Sequence, residues 1–295
     1  MYVYLQPQGG LNDILSVIET TLIYCMKHKR KLLLDTVNTT YRINFIDYFS
    51  FLHPCIIEDI NEIIKICDND NNISIYPECS KDNMLNILNG KIKFVDNNFE
   101  MYYNNTILSL PNEKRNETII IFSSYAKFFG FKLFKKLHLN INIKKIAKER
   151  YEKIPKPYLC IQVRNTDYKC DYIKLYNENI NLIYKYKNIY VASDDENVIN
   201  FFKSNNLGLN IFNFTTFNNS NNNSNNNSNN NSNENIYKNL HSNDSIDSNT
   251  KILDLMSDIY IISMSDKLLS NSKGQFITLV RNCHADKNNI IKQFN

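Results

Sequence analysis

The sequence predicts an α/β protein of two doubly wound domains facing a cleft. Three observations predict it. Apolar runs of strand length alternate with helical stripes. The alternation stops at a proline pair and starts afresh. Both halves open on a strand that ends in a polar turn. Strands alternating with helices imply parallel sheets covered on both faces. The expected domains are residues 1–154 and 155–295, joined at Ile154-Pro155-Lys156-Pro157. The prolines there disfavour helix and suit a crossover.

The first strand is Tyr2 to Leu5, stopped by a Gln-Pro-Gln-Gly-Gly turn. A helix from Asn12 to His28 follows, with Leu11, Leu15, Ile18, Leu22 and Cys25 on one stripe. Lys31 to Asp35 is a second strand and completes a βαβ unit. Beyond it, Ile60–Ile66 and Met84–Leu88 read as helical, and Ile73–Tyr76, Lys91–Val95 and Ile119–Phe122 as extended. Phe128 to Ile154 is basic, aromatic and helical in pattern, with a break near Asn140.

In the second half, strands are expected at Tyr158–Val163, Asn188–Ala192 and Leu209–Phe214, with helices at Ile173–Tyr186 and Glu196–Lys203. From about Phe217 to Asn249 the chain is an Asn/Ser tract. It lacks the apolar side chains that offset ordering entropy, so a disordered insertion is expected. A helix at Ile252–Met264, a strand at Lys267–Leu269 and a helix at Gln275–Asn282 complete the pattern.

The 295 residues are 43% apolar and 22% charged, as in ordinary soluble proteins. A net charge of +4 permits an anionic small ligand and gives no argument for nucleic acid. No apolar run reaches the length of about 18 residues that a membrane span needs. Without a secretory signal after Met1, the expected compartment is cytoplasmic. The seven cysteines form no CxxC pair and have no histidine placed to complete a zinc site. No metal and no cofactor are therefore expected, and thiols in a reducing compartment are the default.

Four turns at strand ends can carry chemistry. In Gln8-Gly9-Gly10-Leu11-Asn12-Asp13 the glycines let backbone amides approach a ligand at a helix N-terminus, or Asn12 or Asp13 simply caps the helix. In Gln162-Val163-Arg164-Asn165-Thr166-Asp167, Arg164 directly follows a strand, where its guanidinium can hold a diphosphate through two parallel hydrogen bonds. Asp167 either holds Arg164 in place or caps the next helix. Ser193-Asp194-Asp195 places two carboxylates where they can bind a ribose or base edge, or cap the helix from Glu196. Ser270-Asn271-Ser272-Lys273-Gly274 is a polar turn before a helix, either an ordinary turn or a phosphate-binding one.

The order of these turns, Gly-Gly-Leu-Asn, then Val-Arg-x-x-Asp-Tyr, then Val-Ala-Ser-Asp-Asp, then Leu-Leu-Ser-Asn-Ser, resembles the fucosyltransferase superfamily. The resemblance spans residues 3–35 and about 158–282. It implies two Rossmann-like domains in a GT-B-like fold, with the acceptor side in the first and the nucleotide sugar in the second. It implies transfer of fucose, or a related sugar, from a GDP-sugar to a hydroxyl on a glycan or protein, inverting and metal-independent. Arg164 falls on the family's phosphate-binding arginine. Gly9, Gly10, Asn12, Gln162, Asp167, Asp194, Asp195, Ser270, Asn271 and Ser272 fall on substrate-binding segments. Gln162 stands where the family has histidine, and Asn165 where it has a second arginine. The alternatives are a catalytically degenerate nucleotide-sugar-binding or interaction protein on the same fold, and an NAD enzyme, against which the missing G-x-G-x-x-G weighs.

Overall fold

The structure, a computed structural model, describes residues 1–39, 42–51, 56–57, 64–65, 67, 73–125, 131–166, 169–205, 208–217 and 246–295. Asp167 and most of the Asn/Ser tract lie outside the described residues, as do Phe128, Phe129 and most of Ile60–Ile66. The chain divides into two compact units, Met1–Asn140 and Ile141–Asn295.

The first unit contains β1 (Tyr2–Pro7), α1 (Leu11–His28), β2 (Lys31–Leu34), β3 (Phe49–Phe51), β4 (Ile56–Ile57), β5 (Ile75–Tyr76) and α2 (Lys81–Leu88). It continues with β6 (Val95–Asn97), β7 (Glu100–Tyr103), β8 (Thr106–Ile107), β9 (Ile119–Ser124), α3 (Phe131–Phe134) and β10 (Leu137–Leu139). The main sheet runs β4-β2-β1-β9-β7-β6, with β1 parallel to both β2 and β9. Val3, Tyr4 and Leu5 are fully buried, as a strand covered on both faces must be. The chain moves from β1 to β2 and β4 on one side and later adds β9 on the other. In such sheets a reversal marks the ligand-binding edge, here the C-terminal ends of β1 and β9.

Two features of this unit differ from the sequence expectation. Leu137-His138-Leu139 is a strand, antiparallel to β3, inside the stretch expected to be helical. Its leucines are buried and His138 is exposed, so a period of two holds for three residues, too short to stand out among helical neighbours. β6 shares only Val95 with the strand expected at Lys91–Val95, and the rest of the antiparallel meander β6–β7–β8 was unexpected.

The second unit contains α4 (Ile141–Glu152), β11 (Tyr158–Val163), α5 (Tyr172–Ile183), β12 (Asn188–Ser193), α6 (Glu196–Asn205) and β13 (Asn210–Phe212). Then come α7 (Ser248–Met264), β14 (Lys267–Leu269), α8 (Gln275–Ala285) and α9 (Lys287–Phe294). The four strands are all parallel, in the order β13-β12-β11-β14. Every residue of β11 and β12 is buried. On one face Leu159, Ile161, Val163, Ile189 and Val191 pack with Leu175, Tyr176 and Ile183 of α5 and Val198, Ile199 and Phe202 of α6. Each buried side chain of this size contributes about 2 kcal/mol. On the other face the Tyr158 hydroxyl donates to the Ile261 carbonyl of α7 at 2.5 Å, and α4, α8 and α9 pack on α7. The division between units falls before α4, where the sequence placed it after that helix, because Ile143 and Ala147 bury their side chains in the second unit. Ile246 is buried and Asp247 caps α7 through the Thr250 amide, so the last residues of the stretch expected to be disordered up to about Asn249 belong to the helix start.

The second sheet has its own reversal. β12 and β13 extend to one side of β11, and β14 lies on the other. The C-terminal ends of β11 and β14 therefore flank the position where ligands bind in such sheets.

Candidate active site

Three strand ends of the second unit converge at that reversal: Gln162 to Thr166 from β11, Ser193 to Asp195 from β12, and Ser270 to Gly274 from β14. Hydrogen bonds join them. The Ser272 hydroxyl accepts the Arg164 amide at 2.8 Å. Ser270 donates its hydroxyl to Gln162 Oε1 at 2.8 Å and accepts the Ser272 amide at 3.1 Å. Asn271 donates to the Asp171 carbonyl at 2.7 Å, which ties the turn to the start of α5. The Ser-Asn-Ser turn is thus a brace that sets where Arg164 begins.

The guanidinium of Arg164 lies over the start of α8. Gly274, the N-cap of α8, has φ +110°, and a Cβ there would come within 3.4 Å of Arg164 Nη1. The backbone angle is what calls for glycine there, and the distance shows how near the guanidinium lies to the helix start. Gly274 supplies no capping side chain, and the first turn of α8 carries no acidic residue. A helix N-terminus carries partial positive charge. A guanidinium set against it concentrates positive field at one point, an arrangement that an anion stabilises.

The carboxylates of β12 hold the Arg164 loop. Asp194 accepts the Asn165 amide at 2.7 Å and the Thr166 hydroxyl at 2.6 Å. Burial pushes the Asp194 carboxyl above its ordinary value, against the opposing pull of those hydrogen bonds and of Arg164's charge. Asp195 accepts from Asn165 Nδ2 at 2.7 Å and from the Asn197 amide at 2.9 Å, so it also caps α6. The buried Asn165 side chain in turn accepts the Cys170 amide at 3.3 Å. A neutral amide thus bridges β12 and α5 where the resembling family has arginine.

The structure brings together Gln162, Arg164, Asp194, Asp195, Ser270, Asn271 and Ser272. Asp167 lies outside the described residues. Thr166 and Gly274 lie in turns the sequence singled out but had no role assigned, and Lys169, whose ammonium donates to the Asn165 carbonyl at 2.8 Å, was not read at all. A glycine just ahead of a helix was the one available signal for Gly274.

Gly9, Gly10 and Asn12 belong to the first unit. Gly9 has φ +91°, and a Cβ there would meet the Asp13 Cβ at 2.9 Å. Asp13 accepts the Gly10 amide at 3.1 Å, closing the N-terminus of α1, and Asn12 is buried. The turn is locked to β9 by the Gln8 amide, which donates to the Ser124 carbonyl at 3.0 Å.

A parallel α/β sheet with an arginine and a helix N-terminus at its reversal belongs to the doubly wound α/β class, in which ligands sit at the C-terminal ends of the strands. No protein-family model matches the sequence, and no curated protein matches it. Among solved structures the chain is similar to NodZ alpha-1,6-fucosyltransferase co-crystallized with GDP, with 10% identity, a TM-score of 0.55, and coverage of 95% of this chain and 91% of that one. The same enzyme soaked with GDP-fucose gives 11% identity, a TM-score of 0.54 and the same coverage. NodZ from Bradyrhizobium gives 11% and 0.53, covering 95% of this chain and 92% of that one. The chain has a fucosyltransferase-like α/β fold.

Among the described residues, no helix is long and apolar enough to cross a membrane, and no group of three His, Cys, Asp or Glu side chains is placed to hold a metal ion.

Proposed function

We propose that the protein is a glycosyltransferase that moves fucose, or a closely related sugar, from a GDP-sugar to a hydroxyl acceptor with inversion. The observation that carries this reading is the Arg164 guanidinium set over the glycine-capped N-terminus of α8. The acceptor hydroxyl oxygen attacks the anomeric carbon opposite the nucleotide and gives up its proton to water. The bond from that carbon to the diphosphate oxygen breaks, and negative charge gathers on the departing GDP. Arg164 and the first turn of α8 stabilise that charge without reorganising, because Ser272 and Asp194 already hold the loop. The reading gives no step to a metal or cofactor.

The GDP and GDP-fucose named with the similar NodZ structures support the choice of donor. The GT-B-like two-domain arrangement belongs to the same reading. The free cysteines Cys79, Cys160 and Cys170 suit a reducing, cytoplasmic setting. A turnover assay with GDP-fucose and other nucleotide sugars tests the proposal. GDP release from GDP-fucose should fall by about 10²–10³ in Arg164→Ala, the typical cost of removing one preorganised electrostatic partner. Equal turnover in both proteins would exclude the assigned role.

A further inference from the structure

The end of the first unit where β1 begins and α1 stops carries a basic surface that the donor chemistry does not use. The chain there reads Lys27-His28-Lys29-Arg30-Lys31, across the junction of α1 and β2. Lys27, Lys29 and Lys31 are exposed, while His28 and Arg30 are buried. Arg30 fastens a second basic segment to the first. Its guanidinium, 2% exposed, donates to the Tyr2 carbonyl at 3.2 Å, the Glu117 carbonyl at 2.9 Å and the Arg115 carbonyl at 2.5 Å. The loop before β9 is thereby held against the end of α1, and it brings exposed Lys114 and partly exposed Arg115. Burial, with the positive charges of Lys27, Arg30 and Lys114, holds the His28 imidazole below its ordinary value. Two carboxylates share that loop: Glu117, paired with Arg115 at 3.3 Å, and Glu113.

A cation in the last turn of a helix complements its dipole, which accounts for Lys27. It does not account for Lys29, which follows α1 at φ +53°, a left-handed position that glycine usually takes. Nor does it account for Lys31 and Lys114, which lie outside the helix. The outer face of α1 is also apolar where it meets the lysines. Ile23 is 58% exposed and Met26 51%. With Lys27 they stand at i, i+3 and i+4 on one helix face, while Leu22 and Cys25 are buried on the other.

We infer that the end of α1, with Lys27, Lys29, Lys31 and Lys114 around Ile23 and Met26, is a docking surface for an anionic lipid bilayer. The lysines meet negative headgroups, and the two aliphatic chains enter the boundary between headgroups and acyl chains. Charge alone suits any polyanion. The exposed Ile23 and Met26 decide for a bilayer, because a phosphate backbone gives aliphatic chains nothing to bury themselves in. The surface lies at the start of β1, and the inference does not depend on the transfer reading.

Vesicle flotation of the full chain tests this. The probes are vesicles of phosphatidylcholine with about a third phosphatidylserine, and vesicles of phosphatidylcholine alone. The chain should bind the anionic vesicles about tenfold or more tightly than the neutral ones. The difference should shrink between about 0.1 M and about 1 M salt, as the screening length falls from about 10 Å to about 3 Å. A lysine at such a surface strengthens binding about fivefold, so Lys27→Gln, Lys29→Gln and Lys31→Gln combined should weaken it about a hundredfold at unchanged GDP affinity. Arginine at the same three positions should retain it. Ile23→Gln with Met26→Gln should weaken it about tenfold. Equal binding to both vesicle types, or binding to neither, overturns the inference, as does undiminished binding by the triple glutamine variant. A loss that the arginine variant shares overturns it in favour of a structural role for the lysines. Tighter binding of duplex DNA or RNA, untouched by the Ile23 and Met26 substitutions, overturns it in favour of a nucleic acid. A dimer that those two substitutions dissociate overturns it in favour of a second copy of the chain.

Discussion

At the residue scale, Gly274 has the narrowest tolerance. Its φ of +110° admits few other residues, and a Cβ there would lie 3.4 Å from Arg164 Nη1. Gly274→Ala should cost about 1–3 kcal/mol of stability from backbone strain alone. The strain falls on the turn that opens α8, so GDP binding should weaken as well; denaturant unfolding and calorimetry measure the two effects. Phe99, at φ +65° in the β6–β7 turn, should behave in the opposite way when replaced by glycine. Relief of left-handed strain offsets the entropy glycine adds to the unfolded chain, so unfolding free energy should stay within about 1 kcal/mol of wild type. Arg164 was legible in the sequence because it ends an unbroken apolar strand. Asn165 was not: its bonds to Asp195 and the Cys170 amide join segments about thirty and five residues away, and no local pattern encodes them.

At the element scale, α7 carries a polar seam. Arg150 of α4 pairs with Asp254 at 2.7 Å, and Asp254 also accepts the Thr216 amide at 2.7 Å. Removing the cation leaves a largely buried carboxylate without its counter-charge. Arg150→Met should therefore destabilise the chain by about 3 kcal/mol, read from denaturant midpoints. One turn along, Tyr190 donates its hydroxyl to Asp258. Burial, with the nearby Asp254 charge, pushes the Asp258 carboxyl from 3.8 up to about 7. The folded chain then holds this proton more tightly than the unfolded chain does. The stability so gained is full below 3.8 and is lost as pH rises through about 7. Asp258→Asn lacks this dependence, so wild-type minus variant stability should fall across that window. A flat difference would contradict it.

Elements with strong periodicity were readable from the sequence. The Lys267–Leu269 strand agrees with β14 residue for residue, and α7 begins four residues ahead of its expected start at Ile252. The meander β6–β8 was not read, because its strands of two to four residues are too short to show a period. The Asn-Asn pairs at its turns were the available signal.

At the scale of the whole molecule, each unit reverses its strand order once beside its first strand, and each reversal gathers distinctive chemistry. In the second unit it is a cation on a glycine-capped helix. In the first it is the Gly9-Gly10 turn locked to β9. Calorimetric titration of GDP into the wild type and Arg164→Ala tests most directly whether Arg164 and α8 form a diphosphate site. The wild type should bind saturably and the variant about a hundredfold more weakly, as expected when a charge-assisted bidentate contact is removed. A folded variant that binds GDP as tightly as the wild type would contradict it.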